Sequence, residues 1–209
     1  MKRRDLTQEK ICIAAIKIIE AEGLENLTMR HLAKALNIEA ASLYNHITNK
    51  NALFDAIQEY LYAQIPPVTV TNTWREHLLE LAITVRQGLL QIPNVVVLFA
   101  TRPTVTKSSL QQANLTVEVL INSGFEPADV MVIYRNLHVF VLGHVLAEVG
   151  RTPGETEVHP EPSLAIESLN EYPALKKALV YKDSHDFMQG FKFGLNNFLD
   201  GLEVLRGAK

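Results

Sequence analysis

Between Thr7 and Glu22 the apolar residues Ile11, Ala14, Ala15, Ile18 and Ile19 recur at i, i+3, i+4, i+7 and i+8, which draws one face of an α-helix. The same period returns along nearly the whole chain, and no stretch sustains the two-residue alternation of a half-buried strand. The expectation is an all-α fold. Punctuation agrees with the period. Gly23 follows the first helix as a left-handed C-terminal residue, and Thr28 caps a second helix, TMRHLAKAL. Leu27 and Leu32 bracket that cap as a hydrophobic staple, and Asn37 closes the helix. A third short helix begins after Glu39, with Ile38 and Leu43 as a similar pair. Asn49 or Thr48 caps a fourth, which carries Leu53, Ile57, Tyr60 and Leu61 and is stopped by Pro66-Pro67. Residues 28–46 therefore read as helix, turn, helix, with one supporting helix on each side.

Beyond Pro67 the expected helices are Trp74–Leu90, Asn94–Thr101, Ser109–Asn122, Pro127–Val149, a short one opened by Pro173, and Asp183–Arg206. Residues 151–163 hold Pro153, Gly154, Pro160 and Pro162 and read as a loop. With 209 residues, 47% of them hydrophobic, the chain can bury a substantial core. Two domains are expected: a helix-turn-helix head over residues 1–65 and a larger helical body over 66–209. The single cysteine, Cys12, excludes an internal disulfide and a zinc site built from cysteines, and it suits the cytoplasm. The longest uncharged stretch, Gln87 to Thr101, is 15 residues long and is broken by Pro93, so no membrane span is expected. The net charge of −3 argues against nucleic acid until it is divided. Residues 1–50 carry eight Lys/Arg against six Asp/Glu, an excess of +2, which leaves −5 for the rest.

The segment LTMRHLAKALNIEAASLYNHITNKNALFDAI, from Leu27 to Ile57, resembles the TetR family of bacterial transcriptional regulators. Leu27, Thr28, Leu32, Ala33, Ser42, Leu43, Tyr44, His46, Lys50 and Leu53 carry the pattern at fixed spacing. The rest of the chain is similar to the tetracycline-repressor type of C-terminal domain through Trp74, Thr101-Arg102-Pro103, and Asn122–Gly124 followed by Phe125. The resemblance implies a homeodomain-like helix-turn-helix whose third helix lies in the major groove of double-stranded DNA. Thr28 then donates to phosphate, with Met29 beside it, and Arg30 can fork onto guanine. Ala40 and Ala41 offer methyl contacts to thymine. Ser42, Tyr44, His46 and Lys50 match positions that grip phosphates. Asn45 reads adenine if its side chain reaches the groove floor, and is otherwise a solvated residue. Lys2, Arg3 and Arg4 read first as a solvated tail.

The resemblance also implies a homodimer that releases a roughly palindromic operator when a small-molecule effector binds. Pro127–Val149 and Asp183–Arg206 of both copies would build the interface, with Gly143, Ala147, Gly190, Gly194 and Gly201 allowing close approach. Recognition helices would then lie about 34–36 Å apart. In tetracycline-binding members a metal-binding His precedes the Thr-Arg-Pro triplet, and here that position is Leu98. The polar residue of their first sensor helix corresponds to Leu81. The expectation is therefore an apolar effector without magnesium, against a wall drawn from His77, Leu81, Val85, Leu98, Phe99, Arg102, Leu115, Asn136 and His138. No cofactor, metal or catalytic residue is expected. His144 and Glu148, spaced i, i+4, lack a third ligand, Asp183-Ser184-His185 reads as a helix start, and Walker A, GxSxG and GxGxxG motifs are missing. Other readings of the same residues are an activator of this family and an all-helical ligand carrier with a vestigial helix-turn-helix.

Overall fold

The computed structural model describes residues 6–69, 72–102, 105–149, 170–179 and 186–207. They contain helices and no strand. The chain divides into two compact units, residues 1–157 and 158–209. The first holds α1 (Gln8–Glu22), α2 (Met29–Ala35), α3 (Ala40–Tyr44), α4 (Lys50–Tyr62), α5 (Trp74–Leu90), α6 (Val96–Thr101), α7 (Lys107–Asn122) and α8 (Pro127–Val149). The second holds α9 (Pro173–Leu179) and α10 (Phe187–Gly207).

Local chemistry sets the boundaries. The side chains of Thr7, Thr28, Asn49 and Thr73 accept the backbone N–H of Lys10, His31, Ala52 and Glu76, satisfying one otherwise orphaned donor at the start of α1, α2, α4 and α5. Gly23 ends α1 at φ 90 and leads into a single 3-10 turn, Leu24–Asn26, which the periodicity does not reveal. Asn37, at φ 54, makes the left-handed turn between α2 and α3. α7 begins two residues before the expected Ser109, because Thr106 is the cap and Ser109 answers it from the third helical position in a reciprocal capping box. α10 begins at Phe187, with the Asp186 carboxylate accepting the Gln189 N–H at 2.7 Å. Its expected start, Asp183-Ser184-His185, lies outside the described residues, as do the expected loop at 151–163 and Lys2, Arg3 and Arg4.

α1, α2, α3 and α4 close around a small apolar core of Ile11, Ala15, Ile19, Leu32, Leu43, Leu53 and Ile57, and this core holds the turn between α2 and α3 rigid. Behind it, α5, α7 and α8 pack together, and α6 wedges between α4 and α8. Trp74 meets Phe125 edge-on at 5.0 Å. α8 is apolar nearly all round but buries only the side of Val130, Ile133, Leu137, Val141 and Val145. Among the described residues it is the helix long and apolar enough to cross a membrane, by length and composition alone. Its opposite side leaves Met131, Val132, Val139, Gly143 and Ala147 open to solvent. In the second unit, α10 buries Phe191, Leu195, Leu199 and Leu202 and exposes Phe193, Gly201 and Val204.

Candidate nucleic-acid interface and internal cavity

The α2–α3 turn puts its apolar residues inward and leaves a polar outer surface. Leu32, Ala33 and Leu43 are buried, whereas Thr28, Arg30, Ala41, Tyr44, Asn45 and His46 are exposed. Met29, Ala40, Ser42 and Lys50 are half-buried. Tyr44 is 49% exposed, which leaves about half of its surface open to a partner. Thr28 accepts the His31 N–H through its hydroxyl oxygen at 3.1 Å, and the hydroxyl hydrogen stays available as a donor. Two clefts cross this surface. Arg30, Asn37, Glu39 and Ala40 border one, and Asn37, Glu39, Ser42, Asn45 and His46 border the other. Glu39 borders both, precedes α3 and caps nothing with its side chain. Sequence reasoning passed over it; its signal was a carboxylate at the entry of the third helix. The Lys50 ammonium stands 5.4 Å above the Phe54 ring, and the Arg102 guanidinium lies 5.3 Å from the same ring.

A cavity of about 470 Å³ lies within the first unit, a size suited to a small organic molecule. Tyr62 closes it from the end of α4, Val85 and Leu89 from α5, and Phe99, Thr101 and Arg102 from α6. α8 adds Tyr134, Arg135, His138, Val139 and Leu142. A second space of about 310 Å³ shares Tyr62 and Ile65 with it and touches Leu81, Gln112 and Leu115. The Tyr62 hydroxyl and His138 Nε2 are 3.3 Å apart, and the His138 and Tyr134 rings meet at 4.3 Å, tilted by 51°. Burial pushes the His138 imidazole below its ordinary value, despite the Tyr134 backbone bond, and raises both tyrosines.

The expected wall residues divide. Val85, Phe99, Arg102 and His138 line the larger cavity, and Leu81 and Leu115 the smaller. Three line neither. His77 is fully buried with Nε2 3.0 Å from the Thr116 hydroxyl, so it belongs to the core and not to either wall. Leu98 is core, and its carbonyl accepts from Gln58 Nε2 at 3.2 Å. Asn136 points out from the exposed side of α8. Sequence reasoning missed Tyr62 and Tyr134, because neither breaks the period of its helix. Glu148 pairs with Arg86, which accounts for the i, i+4 spacing that resembled two metal ligands. Gly143, Ala147 and Gly201 are exposed and Gly190 and Gly194 half-buried; an added Cβ would meet nothing within 4 Å at Gly143, Gly190 and Gly201.

α6 joins cavity to head. Just before it, the Asn94 backbone donates to the Glu20 carboxylate at 3.1 Å, and its side chain donates to the Glu20 carbonyl at 2.9 Å. At its middle stands the Gln58 bond to Leu98. At its end Arg102 donates to Asn51 at 3.2 Å and to Asp55 at 3.1 Å, both on α4. Six helical residues are thus tied to α1 and α4 at both ends while Phe99 and Thr101 face the cavity.

Comparisons with known proteins bear on both regions. A family model described as "Bacterial regulatory proteins, tetR family" matches residues 11–57, and one described as "Tetracyclin repressor-like, C-terminal domain" matches 66–206. The chain is 30% identical to the tetracycline repressor protein class D of Escherichia coli over 203 residues, covering 95% of this chain and 90% of that protein. It is 28% identical over 207 residues to an HTH-type transcriptional regulator of Saccharopolyspora erythraea, covering 98% and 87%. A crystal structure of a possible TetR family transcriptional regulator from Streptomyces coelicolor superposes with a TM-score of 0.79 at 30% identity, covering 96% of this chain and all of that one.

Proposed function

Because the chain belongs to the TetR family of bacterial transcriptional regulators, we propose that it is a homodimeric, cytoplasmic repressor released from a palindromic operator by a small apolar effector. It is a DNA-binding, ligand-responsive regulator. We assign residues 1–65 to the DNA-binding head and 66–209 to sensing and dimerisation, with no catalytic role for either. Arg30 reads a base edge, and Thr28, Ser42, Tyr44, His46 and Lys50 hold phosphates. Leu81 and Leu98 offer no ligand atoms to a metal–drug complex, which favours an apolar effector over magnesium–tetracycline. A second copy covers the exposed apolar side of α8.

The observation that carries this reading is Arg102. It lines the cavity and holds Asn51 and Asp55 on the helix that follows α3. A ligand that displaces α6 acts on α4 through that guanidinium and on α1 through Asn94. Moving a regulator from 1:99 to 99:1 between states needs about 5.5 kcal/mol of differential ligand affinity. Footprinting of the DNA flanking its own gene tests the proposal, and the expected result is a protected palindrome. Lys50→Ala weakens binding to all sequences alike, whereas Arg30→Ala relaxes base preference. No selective protection at low salt, or an unchanged preference in Arg30→Ala, contradicts the respective assignment.

A further inference from the structure

The polar atoms on the wall of the larger cavity have a definite hydrogen-bond polarity. His138 Nδ1 is 3.0 Å from the Tyr134 backbone carbonyl. A carbonyl only accepts, so Nδ1 carries the hydrogen. The ring is buried and neutral, which leaves Nε2 as an acceptor for the Tyr62 hydroxyl. Tyr62 is also hydrogen-bonded to the Tyr134 hydroxyl. Its own hydrogen is already spent on His138, so Tyr134 is the donor in that bond. Every hydrogen of this relay is committed, and what it offers a ligand is oxygen lone pairs.

Arg102 has the opposite polarity. Its two terminal nitrogens bind Asn51 and Asp55, but its Nε–H is buried and has no partner among the described residues. A buried donor left unmet is costly, and a ligand acceptor would meet it. Arg135 adds a second cation to the wall, and among the described residues no carboxylate lines the cavity. Tyr62, Phe99, Tyr134 and His138 supply four aromatic rings.

We infer that the effector is an aromatic hydroxy acid, its hydroxyl donating to the Tyr134–Tyr62–His138 relay and its carboxylate accepting from Arg102. This rests on the reading of the cavity as the effector site. It adds the chemical class: a flat apolar body with a donor and an anion, in place of an apolar molecule of any kind.

The test uses the intact protein and four probes: 6-hydroxy-2-naphthoate, its 6-methoxy ether, 2-naphthoate and 2-naphthol. Calorimetry is expected to give the hydroxy acid a Kd about tenfold below that of each of the others. Tyr134→Phe should abolish the preference for hydroxyl over methoxyl and keep the preference for carboxylate. Arg102→Gln should do the reverse, and Arg102→Lys should restore part of the carboxylate preference; circular dichroism verifies that each variant is folded. If the methyl ether or 2-naphthol binds as tightly as the hydroxy acid, the chemical class is wrong and the ligand-responsive reading stands. If none of the four binds, the inference falls together with the assignment of this cavity as the effector site.

Discussion

His138 is held below its ordinary value of 6.5 by burial. Burial acts in the same direction on His77 and His144, with Arg86 adding to the effect at His144 and Glu148 opposing it. The sign of the pH effect follows. A histidine whose folded value is depressed binds fewer protons when folded, so its stabilising contribution is complete above 6.5 and is lost as pH falls below that value. Thermal unfolding is therefore expected to move to lower temperature between pH 7 and about pH 5. His138→Gln, which cannot titrate, should be less stable at pH 7 yet lose less on acidification, by up to about 1.4 kcal/mol per pH unit. An identical pH slope in the variant would contradict the assignment. Losses below 4.5 have a different origin. Burial alone would raise the Glu59 carboxyl, but bonds from Thr106, Ser108 and the α7 backbone outweigh it and hold it down. His138 was readable as a wall candidate because a histidine interrupts an apolar helix. Its partner Tyr62 was not, since the two are 76 positions apart and only packing joins them.

α6 has six residues, too few to persist in water by helix propensity alone. Its ties to α1 and α4 keep it formed, so they are coupling elements as well as structural ones. Asn94→Ala removes the side-chain bond to the Glu20 carbonyl, keeps the backbone bond to the Glu20 carboxylate, and should cost about 0.5–1.5 kcal/mol in chemical denaturation. It should also weaken the effect of a bound probe on operator release, because α1 is then held to the start of α6 by one bond fewer. Unchanged release in a folded Asn94→Ala protein would show that the side-chain bond to Glu20 carries none of the signal. The helices could be read almost to the residue, since Thr7, Thr28, Asn49 and Thr73 cap within their own turns and the 3.6 period is local. Thr106 shows the limit. It and Ser109 are both good caps, and only the reciprocal bond decides between them. The Glu20–Asn94 and Gln58–Leu98 contacts carry no local signature, because they depend on how α6 seats between two other helices.

For the molecule as a whole, the exposed side of α8 and the uneven charge set the terms of DNA binding. Over residues 1–65 a single head carries eight Lys/Arg against eight Asp/Glu and so no net charge, and one head alone should bind duplex weakly. Pairing two heads raises avidity by about 10²–10⁴ without any new contact to DNA. That gain depends on the second copy, which we place against Val132, Val139, Gly143 and Ala147. Val132 is 45% exposed and lines neither cavity, so Val132→Glu puts a charge into that interface without adding one to a cavity wall. Light scattering should then report a monomer with unchanged helicity, and the operator Kd should rise about 100-fold or more. The salt dependence separates this effect from a damaged head. Each phosphate contact contributes about −0.9 to the slope of log K against log salt. Lys50→Ala should flatten the dimer's slope by about two, one per head, while the protein stays dimeric. Val132→Glu should roughly halve the slope, because half the phosphate contacts are lost at once. A Val132→Glu protein that remains dimeric with the wild-type slope would rule out this side of α8 as the interface. The same substitution at Phe193, exposed on α10, would then show whether dimerisation rests on the second unit instead.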